Sequence, residues 1–215
     1  MGDYKGEPYI KSTYYNMKNT DYILFLDLDG VLVDYNGGWW AVADLLKVQP
    51  SKTNGEFNPE DLKRVGRQTR TPAFWSGLGW EHGGEALWNA ANFLFEDVHI
   101  LTSTGAKQDS DYHKIVTAGK VEWIADHLQG LSPSNIHVVR DGVLKAEFAN
   151  HGSILVDERK STIQAFVKAG GYGILHDARK YKKSIEELRD IAEPLNLGEI
   201  AKRLPIITRG FWNGK

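Results

Sequence analysis

Five short apolar runs recur along the chain: Ile23–Leu26, Val98–Leu101, Ile136–Val139, Ile154–Val156 and a last one at Gly173–His176. Runs of this length, bounded by turn residues, predict buried strands. The first strand is expected over 22–27. Between the runs lie segments with helical spacing. Trp39, Trp40, Val42, Ala43, Leu45 and Leu46 form one such stripe, and Glu85–Phe95, 110–128, 161–168 and 183–192 carry others. Pro59 opens a further helix, with Asn58 as its N-cap. Gly170-Gly171 closes the 161–168 helix. The stretch 71–80, TPAFWSGLGW, is aromatic but broken by glycines, so no regular element is expected there. Residues 1–20 read as a polar, Tyr-rich arm, and the tail around Pro205-Ile206-Ile207 stays unassigned.

Strands alternating with helices predict an α/β fold, a Rossmann-like doubly wound parallel sheet. The roughly 60 residues between the first two strands exceed one crossover helix. The division expected is a core domain of 1–34 and 97–215, with a small helical cap, 35–96, inserted after the first strand.

Polar residues at the strand ends change the picture from fold to chemistry. The first run stops at Asp27, with Asp29 two residues on and Gly30 after it. Extended alternation places both carboxylates on one side, at the carboxyl end of the strand, where open α/β sheets build their sites. Adjacent carboxylates repel unless a cation or a shared proton offsets them. Mg²⁺, which takes oxygen ligands, suits the pair. The second run ends at Thr102-Ser103, whose hydroxyls and amides can hold a phosphate oxygen or cap a helix. The fourth ends at Asp157-Glu158.

With 41% hydrophobic and 25% charged residues the composition is that of an ordinary globular protein. A formal net charge of -2 gives no global basic field toward nucleic acid or membrane. The absence of cysteine excludes disulfides, thiolate zinc sites and thiol catalysis. No signal peptide or run of about 18 apolar residues is visible, so a cytoplasmic protein is expected. Five of the seven Trp fall in the first 90 residues, within or beside the expected cap.

Asp27-Leu28-Asp29-Gly30-Val31 resembles the first motif of the haloacid dehalogenase (HAD) superfamily of phosphohydrolases. Thr102-Ser103, a lysine and Asp157-Glu158 follow in the order of its other motifs. Phe74–Trp80, Gly84–Trp88, Ile100–Ser103 and Gly171–His176 are similar to the 5′(3′)-deoxyribonucleotidases and phage-type phosphatases within it. The resemblance covers about 22–178. It implies Asp27 as nucleophile, Asp29 as general acid/base, and Thr102, Ser103 and Lys145 as phosphate ligands, with Lys120 as the alternative lysine. It also implies Mg²⁺ held by Asp27, the Asp29 main-chain carbonyl, Asp157 and Glu158. The commoner subgroup pattern has Asp-Asp where this chain has Asp157-Glu158.

The activity implied is a Mg²⁺-dependent phosphomonoester hydrolase working through an aspartyl-phosphate, on a small phosphate ester such as a 5′- or 3′-nucleotide. Phe74, Trp75 and Trp39 are the expected base contacts, since nucleobases stack on such rings. Three other readings compete. One is a phosphatase of polynucleotide ends, with Arg179–Lys183 at the rim of its groove. Another is a sugar-phosphate phosphatase or mutase. The last is a non-catalytic binding module, against which the retention of both Asp27 and Asp29 argues. His176 is expected to be structural.

Overall fold

A computed structural model describes residues 18–51, 55–105 and 110–192. Its centre is a sheet of five strands: β1 (Asn19–Leu26), β2 (Phe95–Ser103), β3 (Ile136–Val139), β4 (Ser153–Asp157) and β5 (Tyr172–Leu175). They lie in the order β3-β2-β1-β4-β5, and every neighbouring pair is parallel. Parallel neighbours require crossovers, and the helices supply them.

Side-chain alternation divides the core in two. Leu24, Leu26, Val98, Ile100, Ile154, Val156 and Ile174 share one cluster with residues of four helices. These are α3 (Pro72–Ser76), α4 (Gly84–Leu94), α5 (Asp111–His127) and α7 (Tyr181–Ala192). Phe25, Leu101 and Leu155 belong to the opposite cluster, under Ile163 and Phe166 of α6 (Lys160–Lys168). The sheet is therefore covered on both faces, as doubly wound parallel sheets are. A third, small core of Ala43, Val48 and Val65 joins α1 (Tyr35–Leu45) to α2 (Pro59–Thr69), with Trp39, Val42, Leu46 and Phe57 around it.

The α/β class, the parallel sheet and its helices match the sequence expectation, with three differences. β1 begins at Asn19, inside the stretch expected to be an arm, and stops at Leu26. Residues 1–17 of that arm and residues 205–207 lie outside the described residues. The segment 71–80 is not irregular throughout: Pro72–Ser76 form α3. Thr71 caps it, its hydroxyl accepting from the Phe74 amide at 3.2 Å, and Pro72 opens its first turn. Gly77 ends it. Finally, α4 packs on β2 and α7, so the last part of 35–96 belongs to a sheet layer.

The α3–α5 contact is unusually close. A Cβ on Gly119 would sit 2.4 Å from the Pro72 carbonyl oxygen and 2.5 Å from Trp75 Cβ. The Trp123 indole N–H, one turn further along α5, donates to the Leu78 carbonyl at 2.8 Å. Gly119→Ala is expected to lower the unfolding free energy by about 1–3 kcal/mol through overpacking. The check is a drop in denaturant midpoint at constant m-value; an unchanged midpoint would mean that the two helices separate freely.

Candidate active site

Strand register places the acidic residues. Leu26 lies opposite Ile100 on one side and Val156 on the other. The next residue, Asp27, donates its amide to the Val156 carbonyl at 3.0 Å and so comes beside Asp157. The chain then leaves the extended state. The amides of Val31, Leu32 and Val33 all reach the Leu28 carbonyl, and Gly30 sits at φ +75°. A side chain at Gly30 would be strained there, and its Cβ would lie 3.1 Å from Glu158 Cγ. Because β1 ends at Leu26, strand alternation does not extend to Asp29, and the turn sets its direction instead. The two carboxylates reach two different lysines.

Lys145 and Lys120 are both 2% exposed or less. Lys145 lies in a 3₁₀ stretch, Gly142–Phe148, between β3 and β4. Its ammonium is 2.8 Å from Asp27 Oδ1 and 2.6 Å from Asp157 Oδ2. Lys120, on α5, donates to Asp29 Oδ2 at 2.7 Å, Thr102 Oγ1 at 2.8 Å and the Ser103 carbonyl at 2.8 Å. Three acceptors satisfy its three protons. The structure thus brings together both lysines between which the sequence left a choice, each on its own aspartate. Thr102 is fully buried and its hydroxyl orients Lys120.

The surroundings push the two aspartates apart. Burial acts most strongly on Asp27 and pushes its carboxyl up. The charges of Lys145 and Lys120, with hydrogen bonds from Lys145 and the Leu28 amide, outweigh it and hold Asp27 below the usual carboxylate range. At Asp29 burial wins over Lys120, and with the Asp27 charge it raises the carboxyl. Burial and then the Asp27 charge likewise raise Asp157, against the pull of Lys145. Glu158 is pushed up to about 8 by burial and by the charges of Asp27 and Asp157.

The donor set suits a hard cation. Carboxylate oxygens of Asp27, Asp157 and Glu158 lie within 4.8 Å of one another. Within that trio Glu158 Oε2 is buried without a hydrogen-bond partner among the described residues, a costly state that a cation would relieve; Asp29 Oδ1, outside the trio, is likewise unpartnered among them.

An aromatic wall stands beside Asp29. Tyr35 stacks on Trp75 at 5.3 Å between centroids, and Lys120 Nζ lies 5.3 Å from the Trp75 ring. Phe74 meets both rings edge-on. Arg70 places its guanidinium 5.3 Å from the ring centre of Tyr112. Burial raises both tyrosine hydroxyls, and each also feels the Asp29 charge. The expectation that Trp75 offers a face to a base needs correction. It is 4% exposed and stacked under Tyr35, which is only half-buried. Phe74 stays half-buried beside it. Trp39 packs edge-on against Trp40 and Phe57 in the small α1–α2 core. Sequence reading missed Tyr35 and Tyr112. The available signals were Tyr35 one residue after the α1 cap Asp34, and Tyr112 two turns before Lys120 on α5.

No known family matches the sequence, and no curated protein does. Solved structures with similar coordinates do exist. A haloacid dehalogenase-like hydrolase from Xanthomonas campestris is 13% identical, with a TM-score of 0.47 over 80% of this chain and 93% of its own. A hydrolase from Streptococcus pneumoniae is 11% identical, with a TM-score of 0.46 over 80% and 100%. A HAD family hydrolase from Deinococcus radiodurans, solved with bound phosphate and sodium, is 15% identical, with a TM-score of 0.43 over 80% and 89%. At these identities they are similarities of shape alone.

Glu158 supplies a test of the cation site. Its folded value, about 8, stands above its unfolded value of 4.5. The stability linked to its proton is therefore full below pH 4.5 and is lost as the pH rises through 8. A divalent cation binds the ionised form. Mg²⁺ is thus expected to raise the melting temperature more at pH 8.5 than at pH 6, and Glu158→Gln to shrink that difference. Thermal melts with Mg²⁺ and with chelator at both pH values decide it; an equal Mg²⁺ effect at the two would remove Glu158 from the site.

Proposed function

We propose that this chain is a phosphomonoester hydrolase of the HAD type that works through an aspartyl-phosphate, with a nucleotide as substrate. One observation carries the reading. Two carboxylates two residues apart are driven in opposite directions by their surroundings, Asp27 toward the ionised form and Asp29 toward the protonated one. Such divergence supports Asp27 as the nucleophile and Asp29 as the acid.

In this mechanism Asp27 attacks the phosphorus in line, and the bond from phosphorus to the ester oxygen breaks. Asp29 gives its proton to that leaving oxygen. It then takes a proton from the water that attacks the phosphoryl group, and the bond from phosphorus to Asp27 breaks to release inorganic phosphate. Leu28 N–H and Lys145 both bind Asp27 Oδ1 and so fix the carboxylate plane. Lys120, steadied by Thr102, keeps Asp29 in place between the two proton transfers. Ser103, at the end of β2, would hold a phosphoryl oxygen. Asp27, Asp157, Glu158 and the Asp29 main-chain carbonyl would hold Mg²⁺, which supplies positive charge against the nucleophile and the phosphate.

We further infer that the α1–α3 segment acts as the cap over this site, and that Tyr35 and Tyr112 are where a base or ribose rests. Half-buried aromatic faces close to the general acid support this. A base stacked on one ring gains roughly 1–3 kcal/mol.

Phosphate release from a panel of 5′- and 3′-nucleotides, sugar phosphates and an aryl phosphate, with Mg²⁺ and with chelator, tests the activity. Asp27→Asn is expected to fold normally and to lose at least about 10³-fold in kcat. Wild-type turnover in that variant would sink the covalent scheme. Tyr35→Ala should lower kcat/KM at least about fivefold more for a nucleotide than for the aryl phosphate. Equal losses on both would take the base away from that ring.

A further inference from the structure

A second cavity adjoins the catalytic turn on its β5 side. Its volume is about 540 Å³, within the range of small-ligand sites. It shares Gly30 and Glu158 with the site described above. Beyond them its wall includes His176, Lys160, Lys180 and Lys183. The expected basic run 179–183 therefore opens into the same space as the catalytic turn.

The wall favours an anion for three separate reasons. The first is charge. The cavity's lining holds four cations, Lys160, Arg179, Lys180 and Lys183, against three carboxylates, Glu81, Glu158 and Asp177; Asp177 is held by Arg179 at 3.0 Å, and Glu81 accepts from the His82 amide at 2.8 Å. Lys183 pairs with Glu187 at 3.3 Å. Lys160 and Lys180 make no ion pair among the described residues. The second reason is the backbone. Lys160 is the first residue of α6, whose N-cap gives no side-chain hydrogen bond. Lys180 directly precedes α7. The amino end of α6 thus opens at the cavity with amides to spend and a positive dipole end, whereas the first amide of α7, that of Tyr181, is already taken by the Ala178 carbonyl. The third is an unspent polar atom. His176 is 3% exposed and binds Ser184 Oγ through Nδ1 at 2.9 Å, while its Nε2 has no partner among the described residues.

The wall is also firmly built. The Tyr181 ring at the start of α7 lies where a Cβ on Gly83 would be, 2.1 Å away, and meets His82 edge-on. The His176 amide donates to the Asp157 carbonyl at 3.0 Å, which ties the cavity to the acidic strand end.

We propose that this cavity is a subsite for a second phosphate of the substrate, held by Lys160, Lys180 and the amino end of α6. The inference rests on the phosphomonoesterase reading and narrows it. The preferred substrate carries a second phosphate beside the one removed, as a nucleoside bisphosphate or a phosphorylated oligonucleotide does.

The test compares a 5′-mononucleotide, a nucleoside 3′,5′-bisphosphate and a short 5′-phosphorylated oligonucleotide. KM is measured for wild type and for the Lys160→Ala/Lys180→Ala double variant. Both lysines are exposed, so the variant retains the fold. The same ligands are titrated onto Asp27→Asn protein, with and without the two lysine changes, by calorimetry. Wild type is expected to bind a two-phosphate compound at least about tenfold more tightly than the mononucleotide, and the double variant to lose that preference. A preference for the bisphosphate alone assigns a terminal phosphate; one for the oligonucleotide alone assigns a phosphodiester, and it then weakens with salt. No preference in wild type, or one that survives the double change, overturns the subsite while mononucleotide turnover leaves the phosphatase reading standing. Lysine-dependent binding without any phosphate release would instead overturn the phosphatase reading and keep the subsite.

Discussion

One buried ammonium between two buried carboxylates holds the candidate site together. Lys145 reaches Asp27 and Asp157 from a 3₁₀ stretch, and those two residues sit at the ends of adjacent strands. Neither strand end would tolerate its carboxylate without that charge. Removing the ammonium would leave both carboxylates buried and uncompensated, a loss that typically costs about 3–5 kcal/mol, whereas Lys145 keeps Asp157 as a partner when Asp27 is neutral. The trio still carries one excess negative charge when both carboxylates are ionised. That excess drives Glu158 toward its protonated form and leaves room in the balance for a cation. The parallel register of β1 and β4 is the geometric condition for all of this: shifted by one residue, Asp27 and Asp157 would face opposite layers.

The second lysine explains why the two aspartates differ. Lys120 comes from α5, on the layer that covers Leu24 and Leu26, whereas Lys145 comes from the layer of Phe25 and Leu155. Asp27 feels both charges and takes a hydrogen bond from its neighbour's amide. Asp29 has one lysine, which it shares with Thr102 and Ser103, and one of its oxygens has no partner. The sheet thus separates two cations that would repel each other in one layer, and aims them at different carboxylates.

Much of this could be read from the chain, because it is encoded locally. Short apolar runs that stop at Asp27, Thr102 and Asp157 carry both the strand and its chemical end. What could not be read depends on distant packing. Lys120 and Lys145 looked like alternatives, since spacing along the chain says nothing about which layer a lysine enters; burial on both sides of the sheet makes them partners in one site. Trp75 looked like a surface for a base because aromatic content signals both core and binding. The stack under Tyr35 decides for core. Tyr35 and Tyr112 were passed over because each is a lone polar aromatic at a helix start, and they meet only when α1 and α5 are brought to the same carboxylate. The short α3 was missed because its glycines follow the helix rather than interrupt it.

The approach of α3 to α5 also has a mechanical consequence. With bare backbone at Gly119 against Pro72, and the Trp123 indole on the Leu78 carbonyl, α3 is bolted to the sheet layer. The α1–α2 pair, by contrast, is organised around its own small core. That pair joins the rest of the chain at two points, Asp34 before α1 and the Arg70-Thr71 step between α2 and α3. Arg70 lies at the second of these, its guanidinium over Tyr112 of the fixed helix. Any swing of the outer pair would therefore be felt at the two rings beside Asp29, Tyr35 of α1 and Tyr112 under Arg70.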